Sequence, residues 1–281
     1  METLSIVIPA HNEADSIGPT VTAIAERLEA ETIPYEIVVV DDHSSDATAA
    51  AVGSAAAGRP AIRCVANPRP NGFGNAIHSG LDAFTGDAVC IVMADASDDP
   101  NDIVAYWRTL QQGYDCVFGS RFIRGAKVVD YPWLKLTLNR LANTFIAVLF
   151  GLRYNDTTNA FKCFRREVIV GVSPILSHHF NITIELPLKA IVRGYSWTVI
   201  PTNWYNRKDG VSKFKVKEMG SRYLFIVLYA LIEKWLSRGD YRAQSPRSRP
   251  AVPVPLTQPA VPVPLCHSEG ANEVERRRGT T

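Results

Sequence analysis

Short apolar segments rich in β-branched residues alternate with amphipathic segments through the first 120 residues of the chain. After the first apolar segment, Ile17, Val21 and Ile24 recur at the spacing of one helix face, and Leu28 continues that face. Regular alternation of this kind predicts a parallel sheet covered by helices on both faces, which is an α/β fold. The predicted strands are residues 4–9, 36–40, 61–66, 88–94 and 115–120, and further helices are predicted from about Ser45 or Asp46, from about Asn75 to Phe84 and from about Pro100.

Polar residues directly follow three of these strands. They are Asn12 and Glu13 after the first strand, Asp41 and Asp42 after the second, and Asp95 after the fourth. Parallel sheets bind ligands beyond the carboxyl ends of their strands, so these side chains are expected at one edge. A turn-forming aspartate explains any one of the positions, but their coincidence favours a ligand site.

The sequence IVMADASDDP, residues 91–100, contains Asp95, Asp98 and Asp99 within five positions. Like charges this close repel and raise each other's pKa. Aspartate is a common turn and N-cap residue, whereas a divalent cation needs oxygen ligands at about 2.0–2.6 Å. The pattern alone fits both explanations.

Residues 141–152 and 223–236 are the most apolar stretches of the chain. Each is shorter than the ~20 residues that a membrane span requires. The second is apolar on all sides from Tyr223 to Ile232, which is typical both of a buried core helix and of a helix in the membrane interface.

The chain of 281 residues has a net charge of only +2, which gives no support for nucleic-acid binding. Positive charge is concentrated from Arg207 to Arg222, where six basic residues accompany two acidic ones. A solvated basic surface and a site for phosphates or anionic lipid headgroups both fit this segment.

Five cysteines without a CxxC spacing predict a reducing compartment, with neither a disulfide framework nor a zinc site. The N-terminal sequence METLSIVIPAHNEAD lacks the basic region of a signal peptide and is predicted to begin the fold as a strand. The sequence AVPVPL occurs at 251–256 and again at 260–265, and residues 241–281 are predicted to be a Pro-rich disordered tail.

Seven motifs carry a family resemblance: SIVIPAHNEADSI, EIVVVDDHSSDAT, NGFGNAIHSGLDAFTGD, IVMADASDDP, FGSRF, DTTNAFKCFRREVI and RKDGVSK. Their order resembles glycosyltransferase family 2, and most closely its dolichol-phosphate mannose synthase branch, the polyprenyl-phosphate glycosyltransferases. The resemblance covers about residues 4 to 235 and implies a GT-A fold, a mostly parallel sheet flanked by helices. The implied organisation is a catalytic domain at 1–215, a basic and apolar membrane-interface helix at 216–240 and the tail at 241–281.

The resemblance also implies a nucleoside-diphosphate sugar donor and a divalent metal cofactor, Mg²⁺ or Mn²⁺. Asp42 matches the family carboxylate that reads the base, and the Gly72–Gly74 loop would lie near the nucleotide, where small residues permit close backbone approach. The implied nucleotide-sugar-binding residues are Pro9, Ala10, Asn12, Glu13, Asp42, Gly72, Gly74 and Asp95.

The metal motif departs from the family pattern. In the resembled synthases it reads Asp-Ala-Asp, whereas here Ala94 and Ala96 stand at the aspartate positions. We therefore expect Asp95 and Asp98 to hold the metal across the turn, because two carboxylate oxygens and a diphosphate suit Mg²⁺ or Mn²⁺. Asp99 is expected to cap the following helix.

Arg121 in the motif FGSRF matches a family arginine that holds the acceptor phosphate. Lys135 and Asn139 occupy positions where the family has an arginine and a serine for the same purpose. Arg207 and Lys213 match a catalytic pair on the late basic loop, where they would close over the diphosphate or the acceptor phosphate.

Three residues of the motif DTTNAFK, namely Asp156, Asn159 and Lys162, match a family motif near the sugar pocket, and side-chain hydrogen bonds that fix loops explain them equally well. A lipid monophosphate acceptor needs no general base, because its second pKa is near 6 and it is already dianionic at neutral pH. Glu185 would be the base only for an alcohol acceptor.

Three functions are open from the sequence. The first is inverting transfer of a hexose from a GDP- or UDP-sugar to a polyprenyl phosphate on the cytoplasmic membrane face. The second is transfer to a glycan or small-molecule hydroxyl, and the third is sugar-nucleotide binding without catalysis. For the first we expect a peripheral protein held on the membrane surface by 141–152, 223–236 and the basic loop, with a possible integral membrane partner.

Overall fold

A computed structural model describes residues 1–205 and 216–243 of the chain. Its elements are β1 Leu4–Ala10, α1 Ala14–Ala30, β2 Tyr35–Asp41, α2 Thr48–Ala55, β3 Ile62–Ala66, α3 Phe73–Ala83, β4 Ala88–Ile91, α4 Pro100–Gln111, β5 Cys116–Ser120, β6 Val128–Val129, α5 Trp133–Phe150, β7 Lys162–Arg165, α6 Arg166–Val172, α7 Ile182–Val192, β8 Trp197–Pro201, β9 Trp204–Tyr205 and α8 Val216–Leu236. The five strands predicted in the first 120 residues are all present. Apart from residues 241–243, the predicted tail lies outside the described residues.

Within the described residues, seven strands form one sheet in the order β3-β2-β1-β4-β7-β5-β8. β1 is parallel to β2 and β4, and β2 is parallel to β3, so the carboxyl ends of these four strands lie at one edge. β7 runs antiparallel to both of its neighbours, and β8 is parallel to β5. β6 and β9 form a separate parallel pair. The predicted α/β fold with a mostly parallel sheet is confirmed.

Apolar cores cover both faces of the sheet. The core that contains α1 and α4 includes Ile17, Val21, Ile24 and Leu28, which confirms the predicted helix face. The opposite core packs α3, α6 and α7 against the strands. Burial on both faces explains why the strand sequences are continuous apolar runs.

β4 ends at Ile91, whereas the sequence predicted a strand to residue 94. The chain turns there because the Met93 backbone N–H donates to the Asp98 carboxylate at 3.0 Å. In the same turn, the Ala94 carbonyl accepts a hydrogen bond from the Thr20 hydroxyl at 3.2 Å. These contacts replace the ladder hydrogen bonds of a longer strand.

The two most apolar stretches lie in α5 and α8. One side of each helix packs with α7 in a third core, through residues such as Ile146, Ile184 and Leu231. The other side of each helix is exposed, and its contact with a membrane interface stays a prediction. The exposed apolar residues of α5 and α8 include Trp133, Leu134, Leu138, Leu141, Phe145, Val148, Leu224, Phe225, Leu228, Ile232, Trp235 and Leu236. Within the described ranges, no helix is both long enough and apolar enough to cross a membrane.

Candidate active site

The loops after β1 and β2 are joined by hydrogen bonds at the carboxyl edge of the sheet. The Nδ1 atom of His11 lies 2.7 Å from the backbone carbonyl oxygen of Asp42. Asn12 adopts a left-handed backbone conformation with φ of 54°. Its backbone N–H donates to the Ser44 hydroxyl at 3.0 Å, and its Oδ1 atom accepts from the Ser45 N–H at 2.8 Å. The predicted meeting of polar residues at this edge is therefore observed.

The remaining residues predicted at the nucleoside lie at the same place. Pro9 and Ala10 are buried at the end of β1. Glu13 follows them, and its backbone N–H donates to the Thr48 hydroxyl at 2.9 Å. Pro9, Ala10 and Glu13 are thus brought together with Asn12, and their contact with a nucleoside stays a prediction.

Asp42 is buried and ties the loop after β2 to the loop after β3. Its Oδ1 atom accepts from Asn67 Nδ2 at 2.7 Å. Its Oδ2 atom accepts from the Gly72 backbone N–H at 2.9 Å and from Asn71 Nδ2 at 3.2 Å. Sequence reasoning missed Asn67, although it directly follows β3 and the rule that selected Asp42 would have selected it as well.

The glycine loop packs against backbone. A Cβ atom on Gly72 would lie 2.8 Å from the His178 carbonyl oxygen, and one on Gly74 would lie 2.5 Å from the Ser177 carbonyl oxygen. Asn75, in the first turn of α3, donates its backbone N–H to the His178 carbonyl at 3.2 Å. The close approach predicted for this loop is thus made to the segment before α7, and contact with a nucleotide stays a prediction.

The aspartate turn, residues 94–99, follows β4. Asp95 accepts from the Ser97 backbone N–H at 3.2 Å, and Ala96 has a positive φ of 56°. Asp99 is the N-cap of α4 and accepts from the Asn101 N–H at 2.9 Å, with Pro100 at the first helical position. The predicted helix-capping role of Asp99 is confirmed.

Asp95 and Asp98 were predicted to hold a divalent cation, and this role stays a prediction. Burial raises the pKa of Asp98 to about 7, and the negative charge of Asp95 adds to the rise, while the hydrogen bond from Met93 opposes it. A cation at this turn would offset the cost of ionising the buried carboxyl. Among the residues that the structure describes, no cluster of three or more His, Cys, Asp or Glu side chains could hold a metal, so this site would supply two carboxylates.

A buried ion pair lies beside the predicted acceptor site. Arg121 donates from Nε and from Nη2 to the two oxygens of Asp156, both at 2.8 Å. Burial lowers the pKa of Arg121, but the Asp156 charge outweighs it and the net shift is upward. Lys162 is also buried, its Nζ donates to the Thr157 carbonyl at 3.1 Å, and burial lowers its pKa to about 7.

Lys135 and Asn139 lie on α5, and Tyr131 lies just before it. The Tyr131 ring centroid is 5.6 Å from the guanidinium carbon of Arg121 and 5.7 Å from Lys135 Nζ, so these two predicted phosphate contacts lie around one ring. Asn139 Nδ2 donates to the Thr158 hydroxyl at 2.8 Å. Tyr131 was missed because a single aromatic residue in an irregular segment gives no sequence signal.

β9 lies beside the aspartate turn. The Tyr205 backbone N–H donates to the Ser97 carbonyl at 3.3 Å. Just before β9, Asn203 donates its backbone N–H to Asp102 at 2.8 Å and its Nδ2 to Asp99 at 3.2 Å. Its Oδ1 atom accepts from the Lys127 N–H at 3.2 Å. Arg207 and Lys213, predicted on the basic loop, lie outside the described residues.

Glu185 is fully buried in α7. Its carboxylate accepts from the backbone N–H groups of Leu176 at 2.7 Å and Ser177 at 2.8 Å, and it lies 2.7 Å from Lys189 Nζ. These bonds hold the segment that crosses the glycine loop.

The fold is the GT-A-like fold of glycosyltransferases. Crystal structures of glucosyl-3-phosphoglycerate synthase from Mycobacterium tuberculosis superimpose on it. One of them, a complex with Mn²⁺, UDP-glucose and phosphoglyceric acid, has a TM-score of 0.63 and 19% identity, covering 83% of this chain and 79% of that one. The crystal structure of a mycobacterial protein matches with a TM-score of 0.63 and 21% identity, over 83% of this chain and 74% of that one.

Residues 5–171 match the model of glycosyl transferase family 2. The chain is also 30% identical over 233 residues to the polyprenol monophosphomannose synthase of Mycolicibacterium smegmatis, covering 77% of this chain and 86% of that protein. It is 29% identical over 219 residues to the dolichol-phosphate mannosyltransferase of Pyrococcus furiosus, covering 76% of this chain and 60% of that protein. The chain belongs to glycosyltransferase family 2 and is a glycosyltransferase.

Proposed function

We propose that the chain transfers a hexose of the mannose or glucose type from a GDP- or UDP-sugar to a polyprenyl phosphate, dolichyl or undecaprenyl, with inversion. The observation that carries this proposal is the composition of α5. The helix contains Lys135 and Asn139, the proposed phosphate contacts, among exposed Leu134, Leu138 and Leu141. A polyprenyl phosphate suits this helix, because its phosphate would meet the polar side chains and its long apolar chain would meet the leucines.

The names of the relatives support the same substrates. Two relatives are named for polyprenol and dolichol phosphate mannose transfer. A protein of the same fold was crystallised with Mn²⁺ and UDP-glucose. These names support a metal-dependent reaction with a nucleoside-diphosphate sugar as the donor.

The donor is proposed to lie along the carboxyl edge of the sheet, with its base near Asp42 and its diphosphate near the aspartate turn. Asp95 and Asp98 would hold Mg²⁺ or Mn²⁺, which supplies positive charge to stabilise the departing nucleoside diphosphate. Arg207 and Lys213, which belong to the undescribed segment, are proposed to add positive charge when the basic loop closes over the phosphates.

The acceptor phosphate is proposed to approach from the side of α5. Arg121 is held rigidly by Asp156, which leaves its remaining N–H groups as oriented donors for a phosphate oxygen. The lipid phosphate attacks the sugar carbon without a general base, because it already carries close to two negative charges. Glu185 is engaged with Lys189 and two backbone N–H groups, which argues against a hydroxyl acceptor that depends on Glu185 as a base.

Membrane attachment is proposed to be peripheral, on the cytoplasmic face. The exposed apolar residues of α5 and α8 would lie in the headgroup region, where an apolar helix side and nearby basic residues bind a bilayer. An integral membrane partner is a further candidate for strengthening this attachment.

A transfer assay tests the proposal. The purified protein is incubated with Mg²⁺, polyprenyl phosphate and a panel of labelled sugar nucleotides, and the organic-extractable label is measured. We expect one donor to label the lipid. Label that appears only on a glycan or small-molecule acceptor, and is lost in Glu185→Gln, would establish the hydroxyl-transfer function instead. Nucleotide binding without transfer to any acceptor would establish the non-catalytic function.

A further inference from the structure

A polar cavity lies outside the proposed donor and acceptor sites. It has a volume of about 440 Å³ and is formed by the loop before α7 and by residues 221–225 of α8. The lining residues that matter here are His178, His179, Asn181, Ser221, Arg222 and Phe225. None of these residues is proposed above as a contact of the nucleotide, the metal or the acceptor phosphate, and Arg222 is the last residue of the basic segment that fits phosphates or anionic headgroups.

The chemistry of this lining favours an anion. Arg222 carries a fixed positive charge, and two imidazole rings and the Ser221 hydroxyl add hydrogen-bond donors. No carboxylate is among the described residues that line the cavity. A cavity with a guanidinium group and several donors suits a phosphate group.

Asn181 gives an independent indication of a ligand. The residue is 5% exposed, and its Oδ1 atom has no hydrogen-bond partner among the described residues. It occupies the N-cap position of α7, but its side chain makes no capping hydrogen bond. A buried polar atom without a partner is costly, so such atoms are rare unless a ligand or water pairs with them. Because an amide oxygen only accepts, the missing partner is a donor such as a hydroxyl group.

The surroundings of the cavity indicate where its ligand comes from. Phe225 lines the cavity and is 59% exposed, as one of the exposed apolar residues of α8. On the other side, the loop that carries His178 and His179 contacts Gly72 and Gly74. The cavity therefore adjoins both the proposed membrane-facing side of α8 and the glycine loop of the candidate active site.

We propose that this cavity binds a phosphate ester that carries free hydroxyl groups, with the phosphate at Arg222 and His179 and a hydroxyl donating to Asn181 Oδ1. In a bilayer this chemistry is the headgroup of phosphatidylglycerol, and in solution it is a polyol phosphate such as glycerol 3-phosphate. The lipid form of the proposal rests on the proposed membrane attachment.

Vesicle binding and calorimetry test the proposal without any donor nucleotide. Wild type is mixed with phosphatidylcholine vesicles that contain equal fractions of either phosphatidylglycerol or phosphatidylserine, and with glycerol 3-phosphate alone. We expect tighter binding to phosphatidylglycerol than to phosphatidylserine, and about fivefold weaker binding to phosphatidylglycerol in Arg222→Gln. Arg108→Gln is the matched control, because it also removes one positive charge but lies on α4, 63% exposed and paired with Glu31. It should bind like wild type.

Asn181→Leu separates a ligand contact from a structural role. Removing the unpaired oxygen should raise the melting temperature of the free protein by about 2–4 °C while abolishing the preference for phosphatidylglycerol over phosphatidylserine. A lower melting temperature would show that the side chain is structural and would contradict its role as a ligand contact.

The outcomes are distinct. Binding of glycerol 3-phosphate that is lost in Arg222→Gln, without a headgroup preference, would assign the site to a soluble ligand. Equal binding to both anionic vesicles together with no binding of glycerol 3-phosphate would overturn the proposal. Because these measurements use no donor, they fail or succeed independently of the sugar-transfer assay.

Discussion

Gly74 lies where the glycine loop touches the segment before α7. A Cβ atom there would come within 2.5 Å of the Ser177 carbonyl oxygen and the His178 carbonyl carbon, so backbone would have to shift. We expect Gly74→Ala to destabilise the protein by about 1–3 kcal/mol in urea unfolding. Gly53→Ala, in α2 with nothing within 4 Å, is the control and should stabilise by about 0.5–1 kcal/mol. A Gly74→Ala variant with the stability of wild type would contradict this packing.

Asp102, in the first turn of α4, should make stability depend on pH. Burial raises its pKa from 3.8 to about 8, although the hydrogen bond from Asn203 opposes the rise. Between these values the folded state keeps a proton that the unfolded state has lost, so stability decreases as pH rises. From pH 5 to pH 7 the contribution of this group falls by roughly 2–3 kcal/mol.

Asp102→Asn keeps an acceptor for the Asn203 N–H but cannot ionise. We therefore expect the free energy of unfolding of this variant, measured by denaturant titration, to increase relative to that of wild type as the pH is raised from 5 to 7. Asp82→Asn is the control, since Asp82 is 65% exposed, and it should leave the pH dependence unchanged. Parallel curves for wild type and Asp102→Asn would contradict the assigned pKa.

Residue roles were predictable where their partners are local. Asp99 was identified as a helix cap because Pro100 and the helical pattern follow it directly. Asn203 was not identified, because it contacts Asp99 and Asp102 more than 100 positions away and no local pattern marks it. Asp42 was selected correctly as an edge residue, but its bonds to the loop after β3 depend on tertiary structure.

Among the elements, β9 is held to both α4 and the segment before β6 through Asn203. Asn203→Ala removes the side-chain bonds to Asp99 and Lys127, so β9 should be held less firmly beside the aspartate turn, by its backbone hydrogen bonds alone. We expect kcat/KM for sugar transfer to fall about tenfold or more, because small displacements at a site are costly. Asn101→Ala loses two side-chain bonds, to Asp99 and from Arg27, but not the link to β9, so it should lower stability similarly and spare activity. An equal loss of activity in both variants would contradict the positioning role of Asn203.

The exposed sides of α5 and α8 are predicted to bind the bilayer. The double variant Leu141→Gln, Val148→Gln should weaken vesicle binding by about tenfold or more. It should keep its melting temperature, because the two side chains are already 64% and 77% exposed. Val170→Gln is the control, since Val170 is equally exposed on α6, and it should bind vesicles like wild type. Unchanged binding of the double variant would contradict this membrane surface.

Element types were predictable where the pattern was periodic. The α1 face, from Ile17 to Leu28, was read directly from its spacing. α8 was ambiguous because an apolar helix looks the same in sequence whether it is packed or exposed, and only its packing on α7 separates the two sides. β7, Lys162–Arg165, was not predicted as an antiparallel strand because four residues give too little pattern.

In the whole molecule, four parallel strands place their carboxyl ends at one edge of a sheet, which brings the aspartate turn together with the loops after β1 and β2. This arrangement was predictable because it depends only on the alternation of strands and helices. The position of β7 between β4 and β5 was not, because a long-range antiparallel pairing has no local signal.

Metal-dependent transfer of label to polyprenyl phosphate is the most direct test of the role proposed for Asp95 and Asp98. We predict that the initial rate with Mn²⁺ falls about 100-fold or more in Asp98→Asn, and equally in wild type treated with a chelator. Asp82→Asn, which removes one exposed carboxylate outside the aspartate turn, should keep the wild-type rate. Undiminished transfer in chelator, or in Asp98→Asn, would contradict a cation held at the aspartate turn.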